Sequence, residues 1–153
     1  MEGREVTLGL LGTNELEVAY IAGLFDGEGS IFISRDSRSY NNPGSLVVSL
    51  GMTAREPLDL LSRIFGGRTK THKRYPPHNT LYDWRLGSKK AEVFLRIVKP
   101  YLIVKKEEAN LALSFQACGR KKSSRKAKLS ELISPRRTNN HDVNPDEQND
   151  NST

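Results

Sequence analysis

The stretch Ala19–Ile31, AYIAGLFDGEGSI, decides the fold. Its first half belongs to a run from Leu16 to Phe25 (LEVAYIAGLF) in which nearly every residue is apolar or small. A helix built from that run is apolar on all sides and has to be covered on all sides. In a small domain, one covering surface could be a second copy of the chain. Ala19 and Gly23 are four apart and share a helix face. With Ala22 they are the candidates for close helix-to-helix contact in such a dimer.

The run breaks at Asp26–Gly27–Glu28–Gly29, which sets two carboxylates at the C-terminal end of the helix. That end is already negative from the helix dipole, and acids there are unfavourable by roughly 0.3–1 kcal/mol each. The glycines let the chain turn and expose the Gly27 carbonyl. A carboxylate and a backbone carbonyl at a negative helix terminus describe a site for a hard cation. They equally describe a glycine-rich helix stop that carries acids, and the residue types alone leave both readings open.

Beyond Gly29 the apolar period changes from helical to two. Ile31 and Ile33 alternate with Phe32, Ser34 and Asp36, and a turn-rich segment (RSYNNPG, 38–44) follows. Leu46, Val48, Leu50 and Met52 then alternate with Ser45, Val47, Ser49 and Gly51. This pattern predicts a hairpin with one apolar face. Thr53 to Glu56 has capping-box spacing and opens a helix bearing Leu58, Leu61, Ile64 and Phe65, which Gly66 and Gly67 end. A second hairpin spans Arg68–Arg74 and Thr80–Leu86 around YPPHN. Ser88 caps a helix whose Val93, Phe94, Ile97 and Val98 face the core, with Pro100 closing it. A last amphipathic helix runs from about Lys105 to Ala117. The expected fold is a single α+β domain in the order α-β-β-α-β-β-α, plus this last helix, with an antiparallel sheet and helices on one face.

The chain has 153 residues, 36% hydrophobic and 27% charged, with 24 Lys+Arg against 18 Asp+Glu. That length holds one ordinary domain. No apolar run is long enough for a membrane helix. The N-terminus reads as neither a signal nor a transit peptide. A lone cysteine, Cys118, excludes a disulfide framework within the chain and suits a reducing compartment. The expected setting is therefore intracellular, a prokaryotic cytoplasm or an organelle. Charge is uneven: residues 1–30 carry six acids and one base, whereas residues 117–138 carry eight bases and one acid. Such asymmetry points to a polyanionic partner. The expected organisation is an N-terminal arm (1–14), a core domain (15–118), a basic extension (119–134) and a polar, acidic tail (135–153).

The segment IAGLFDGEGSI resembles the motif of the LAGLIDADG homing endonucleases, and the element order resembles that family's core over about residues 15–118. The resemblance implies a site-specific endonuclease that makes a double-strand break in a long, near-palindromic DNA target. It also implies that a chain with one motif works as a homodimer through the motif helix. Glu28 aligns with the metal-binding acid and Gly27 with the coordinating carbonyl, the expected ion being Mg²⁺, with Mn²⁺ or Ca²⁺ able to occupy the same site. Asp26 aligns with the first motif acid, usually structural, and is a weaker catalytic candidate. KPYLIVKKEEANLAL resembles a later family segment and sets Lys105 on its active-site lysine. One departure is Ala54, where some relatives carry a polar residue that orders water.

On this reading the polar strand faces form a saddle along the duplex. Strand parity assigns to it Phe32, Ser34, Asp36 and Arg38, then Ser45, Val47 and Ser49. It adds Arg68, Lys70, His72 and Arg74 as a basic stripe, and Asp83 and Arg85 opposite a core set of Tyr82, Trp84 and Leu86. Lys121, Lys122, Arg125, Arg136 and Arg137 would add phosphate contacts. The alternatives on the same fold are a DNA-binding regulator that does not cut and an RNA intron maturase, the one reading with an RNA partner. No membrane partner is expected.

Overall fold

A computed structural model describes residues 8–9, 11–35 and 44–118. Helix α1 spans Glu15–Glu28. Asn14 caps it, its side-chain oxygen accepting from the Glu17 N–H at 3.0 Å, so one of the free donors of the first turn is satisfied. Glu17 in turn takes the Thr13 hydroxyl at 2.8 Å and the Arg63 guanidinium at 3.0 Å. The helix start is thus tied to the next helix.

Strand β1 (Gly29–Ser34) follows without a loop, and β2 (Ser45–Met52) pairs with it antiparallel. Helix α2 covers Glu56–Phe65, strands β3 and β4 cover Arg68–His72 and Leu81–Gly87, and helix α3 covers Ser88–Val98. A 3₁₀ turn at Lys99–Tyr101 leads to helix α4, Lys106–Ala117. The sheet order is β1-β2-β4-β3 with every pairing antiparallel, and the α+β expectation holds. None of the described helices is long and apolar enough to cross a membrane.

The helices cover one face of the sheet. Ile31, Leu46, Val48, Leu50, Trp84 and Leu86 point into it and are buried. Phe94 of α3 sits at the centre, edge-on to Phe25, Phe65 and Trp84 with ring centroids 5.0, 5.0 and 5.4 Å away. Offset and edge contacts of this kind add about 0.5–1.5 kcal/mol each beyond area burial. The Trp84 indole N–H donates to the Gly66 carbonyl at 2.8 Å, so the end of α2 is anchored to the core.

Gly67 makes that junction possible. Its φ is +99°, and a Cβ there would lie 2.7 Å from the Arg85 carbonyl oxygen and 2.8 Å from the Trp84 indole nitrogen. Both the backbone conformation and the space require glycine. Gly67→Ala is expected to destabilise the chain by about 3 kcal/mol, measurable as a lowered urea midpoint.

Several local expectations give way. Helix α2 starts at Glu56 with Arg55 at its N-cap and no side-chain cap bond. Thr53 lies too far back, because β2 runs on to Met52 and Pro57 suits the first helical turn. Ser88 is the first residue of α3 rather than its cap. Strand β4 enters that helix directly and leaves no loop for a capping residue. Val93 is 41% exposed: the inner face of α3 is Ala91, Phe94, Leu95 and Val98, at helical spacing, and Val93 lies beside it.

Candidate functional site

Helix α1 is two-sided. Val18, Ile21, Ala22 and Phe25 are fully buried in the chain's own core. The opposite stripe is open: Leu16 is 82% exposed, Tyr20 52%, and Gly23 and Gly27 are exposed with nothing within 4 Å of a built Cβ. Ala22 therefore faces inward and has no surface for a second chain, which corrects its place among the interface candidates. Ala19 is half-buried at the margin, and Gly23 lies in the stripe.

The end of α1 gathers the motif residues with Lys105. Asp26 does not face open solvent. One carboxylate oxygen accepts the backbone N–H of Ile103 at 2.7 Å and of Val104 at 3.2 Å, and the other accepts that of Lys105 at 2.9 Å. The Lys105 ammonium returns to the Asp26 carbonyl at 2.6 Å. That carbonyl is among the last four of α1, which have no partner within the helix, and a cation there complements the dipole. Burial pushes the Asp26 carboxyl up, but the three N–H donors and the Lys105 charge outweigh it and hold the group below its usual 3.8.

Asp26 is thus a clamp on the loop that carries Lys105. Asn at this position keeps one acceptor and turns an NH₂ toward the remaining N–H donors. Asp26→Asn is expected to cost about 1–3 kcal/mol. Because the folded value is depressed, the clamp contributes in full above the unfolded value near 3.8 and is lost as pH falls through the lower folded one. Melting curves taken from neutrality into acid should show the wild type losing its advantage over the variant only at the acid end.

Glu28 contrasts with Asp26. It is exposed and has no hydrogen bond or ion pair among the described residues. Lys105 is bonded to the Asp26 carbonyl instead, so the Glu28 carboxylate beside the helix terminus has no partner among the described residues. Among the described residues, no group of three or more His, Cys, Asp or Glu side chains converges as a metal cage. Glu28 with the Gly27 carbonyl is therefore a partial donor set within one chain. Ala54 is exposed in the β2–α2 turn and brings no polar group there. Its neighbour Arg55 pairs with Asp59 at 3.3 Å and lies 5.9 Å from the Tyr82 ring.

The outer face of the sheet follows from the register, since directly paired residues share a face. Ser34 pairs with Ser45, Phe32 with Val47, Ser49 with both Ser30 and Arg85, and Arg85 with Arg68. Lys70 pairs with Asp83 and His72 with Leu81. The residues assigned by parity within the strands thus share the face away from the helices, and the Tyr82–Trp84–Leu86 core assignment holds. Ser30 belongs with them, and the same parity could have found it. Arg68 opposite Arg85 is a like-charge pair, unfavourable by itself. Asp83 offsets it by accepting from the Arg85 Nε at 2.7 Å, with the Arg85 Nη2 in ion-pair contact at 2.7 Å. The edge strand β3 keeps a cationic stripe. Arg74 lies past its end, in the connecting loop. Asp36, Arg38, Lys121, Lys122, Arg125, Arg136 and Arg137 lie outside the described residues.

A family model described as a LAGLIDADG-like domain matches residues 15–99, which is more than half of the chain. The protein belongs to the LAGLIDADG family. No curated protein matches the sequence. Among solved structures, the homing endonuclease I-CvuI in complex with its target aligns with a TM-score of 0.61 at 20% identity, over 78% of this chain and 79% of that one. The archaeal intron-encoded homing endonuclease I-Vdi141I complexed with DNA gives 0.58 at 22% identity, over 78% and 79%. The LAGLIDADG meganuclease I-CpaMI bound to uncleaved DNA gives 0.57 at 21%, over 76% of this chain and 41% of that one. At these identities the likeness is one of fold.

Proposed function

We propose that this protein is a homodimeric, site-specific homing endonuclease that makes a double-strand break in a long, near-palindromic DNA target. The observation that carries the reading is the division of labour at the end of α1. Asp26 is consumed in holding the Lys105 loop, while Glu28, the second acid of the family motif, is exposed and has no side-chain partner among the described residues.

The second copy answers two features at once. The exposed stripe of α1 contains Gly23, where a built Cβ meets nothing within 4 Å among the described residues, although a mid-helix glycine costs about 0.5–1 kcal/mol relative to alanine. A closely approaching partner helix gives it a reason. The I-CpaMI chain, of which the alignment takes less than half, has room for two units of this size. A dyad through α1 would bring the two Glu28 carboxylates together and complete the donor set that one chain lacks.

In that arrangement Glu28 and the Gly27 carbonyl would hold Mg²⁺, with Mn²⁺ or Ca²⁺ able to take the same oxygen ligands. When bound, the ion supplies Lewis-acid polarisation of the scissile phosphate and a more acidic water. The chain's own residues do the rest. Lys105, fixed by Asp26, presents positive charge where the phosphate develops negative charge. The face of Ser30, Phe32, Ser49, Arg68, Lys70, His72 and Arg85 seats the duplex, its cations on phosphates and its polar groups toward base edges.

A second reading is favoured by Ala54, which offers nothing to order an attacking water: a DNA-binding regulator on the same fold that does not cut. Selection of purified protein on a randomised duplex library, with Mg²⁺ and with EDTA, separates the two. Mg²⁺-dependent cutting that enriches one long near-palindrome is the expected result. Tight duplex retention without cutting would establish the regulator, and failure to retain duplex would direct the same assay to structured intron RNA.

A further inference from the structure

The acidic tail is a feature of the sequence that neither the fold nor the outer-face reading uses. From Asn139 to Thr153 it carries Asp142, Asp146, Glu147 and Asp150 and no Lys or Arg. These residues lie outside the described ones; the surface that suits them does not.

That surface is strand β3. It is an edge of the sheet, and among the described residues its outer side has no partner strand. Arg68, Lys70 and His72 stand exposed along one face of it, successive ones about 7 Å apart. Arg85 of the next strand is compensated by Asp83 at 2.7 Å, whereas Arg68, Lys70 and His72 have no ion pair among the described residues. Cations on an edge discourage pairing with another basic or neutral strand. An extended acidic segment is the occupant they favour. The bases between Arg120 and Arg137 offer the same sign of charge, but those of the stripe are held in a row by the sheet and cannot spread apart. An acidic occupant relieves that repulsion.

Spacing and reach agree. In an extended chain, residues an even number apart fall on one side. Asp142, Asp146 and Asp150 are four apart, a repeat of about 13 Å, which is also the separation of Arg68 and His72 along β3. Pro145 lacks an N–H, which an edge position tolerates. Helix α4 ends at Ala117 on the helical side of the sheet, where it packs against β1 and β2. From there the path to β3 crosses three strand spacings, about 14 Å, and a helix layer of about 10 Å. The 24 positions from Cys118 to Asp142 can span up to about 80 Å.

We propose that residues 142–150 occupy the β3 stripe of their own chain when no duplex is bound, and compete with DNA phosphates for Arg68, Lys70 and His72. The tail is then a built-in competitor. Binding that depends on phosphates alone loses to it, whereas a matched target adds base contacts that the tail cannot imitate. This rests on the reading of the outer face as a DNA-binding surface.

Two measurements on the full-length protein test it. Zero-length carbodiimide coupling joins carboxylates to lysines in contact. At low salt without DNA it is expected to link the acids of 142–150 to Lys70 or Lys73 within one chain, and high salt or added duplex should abolish the links. Replacing Asp142, Asp146, Glu147 and Asp150 together by Asn or Gln should tighten binding to a mixed-sequence duplex by about three- to tenfold at low salt. The gain should vanish at high salt, so log affinity falls more steeply with log salt in the variant than in the wild type. Links confined to Lys121, Lys122, Lys126 or Lys128 would put the tail on the basic extension and overturn the proposal. Tighter binding without any link would reduce the tail to bulk charge and overturn it too. Links between chains, seen as a doubled mass in denaturing gels, would overturn the assignment to its own chain. Equal duplex affinities of wild type and variant would overturn the competition and leave the outer-face reading intact. No duplex binding by either protein would overturn both.

Discussion

Glu28→Gln is expected to lower cleavage of the selected target by on the order of a thousandfold while leaving duplex affinity nearly unchanged. The substitution keeps the size and one acceptor oxygen, replaces the other oxygen by an NH₂ donor and removes the negative charge. Glu28 has no partner among the described residues, so no ion pair within them is broken and the fold should be untouched. A carboxylate that only decorated a helix end would give the opposite pattern. Removing it from a negative terminus would then stabilise the helix slightly and leave cutting unchanged. Single-turnover cleavage beside gel-shift affinity distinguishes the two, and undiminished cutting would reject Glu28 as the metal ligand. The matching Asp26→Asn variant should lose stability as well as activity, because its carboxylate is bonded to three backbone N–H groups.

The second large effect is expected at Gly23. A Cβ there meets nothing within 4 Å among the described residues, and leucine is a better helix former than glycine by somewhat less than about 1 kcal/mol. Gly23→Leu should therefore fold with native secondary structure. Between two close-packed helices, however, the added side chain has no room. Analytical ultracentrifugation is expected to show a monomer where the wild type is a dimer, and double-strand cutting should disappear with it. A dimer of undiminished stability would place the second copy elsewhere. Circular dichroism should be compared on both proteins at one concentration, because the apparent stability of a dimer depends on concentration.

How far the sequence could be read depended on where the signals lay. The outer face was legible where the period of two is clean, as in Leu46, Val48 and Leu50. In the fourth strand Tyr82, Trp84 and Leu86 suggested the core face, but with Leu81 also apolar a one-residue shift would have reversed it. The pairing with β2 and β3 places Asp83 and Arg85 outward. Helix α1 was legible as a helix, but not in its orientation. With apolar or small residues all round, nothing in LEVAYIAGLF distinguishes the side that meets the sheet from the side left bare. Ala22 was misplaced for that reason. The clamp made by Asp26 was illegible for another: its three donors are backbone N–H groups, which have no identity in a sequence. Thr53 failed as a cap because local spacing cannot show how far a preceding strand will run. The resemblance supplied the roles of Glu28 and Lys105; the contacts at the end of α1 then show how differently Asp26 and Glu28 are placed.

The Asp26 clamp also constrains when the end of α1 can be assembled. Its hydrogen bonds join residues 77 to 79 positions apart in the chain, so the centre is built from the beginning and the later part of the domain. During synthesis, the motif helix and both hairpins can leave the ribosome while Lys105 is still inside it. Closing so long a loop early is entropically costly, and contacts of this separation form late. A nascent or truncated chain therefore presents the cationic sheet before Lys105 is fixed at the end of α1. The clamp closes only with completion of the domain, so translation itself sets the order in which its two halves meet.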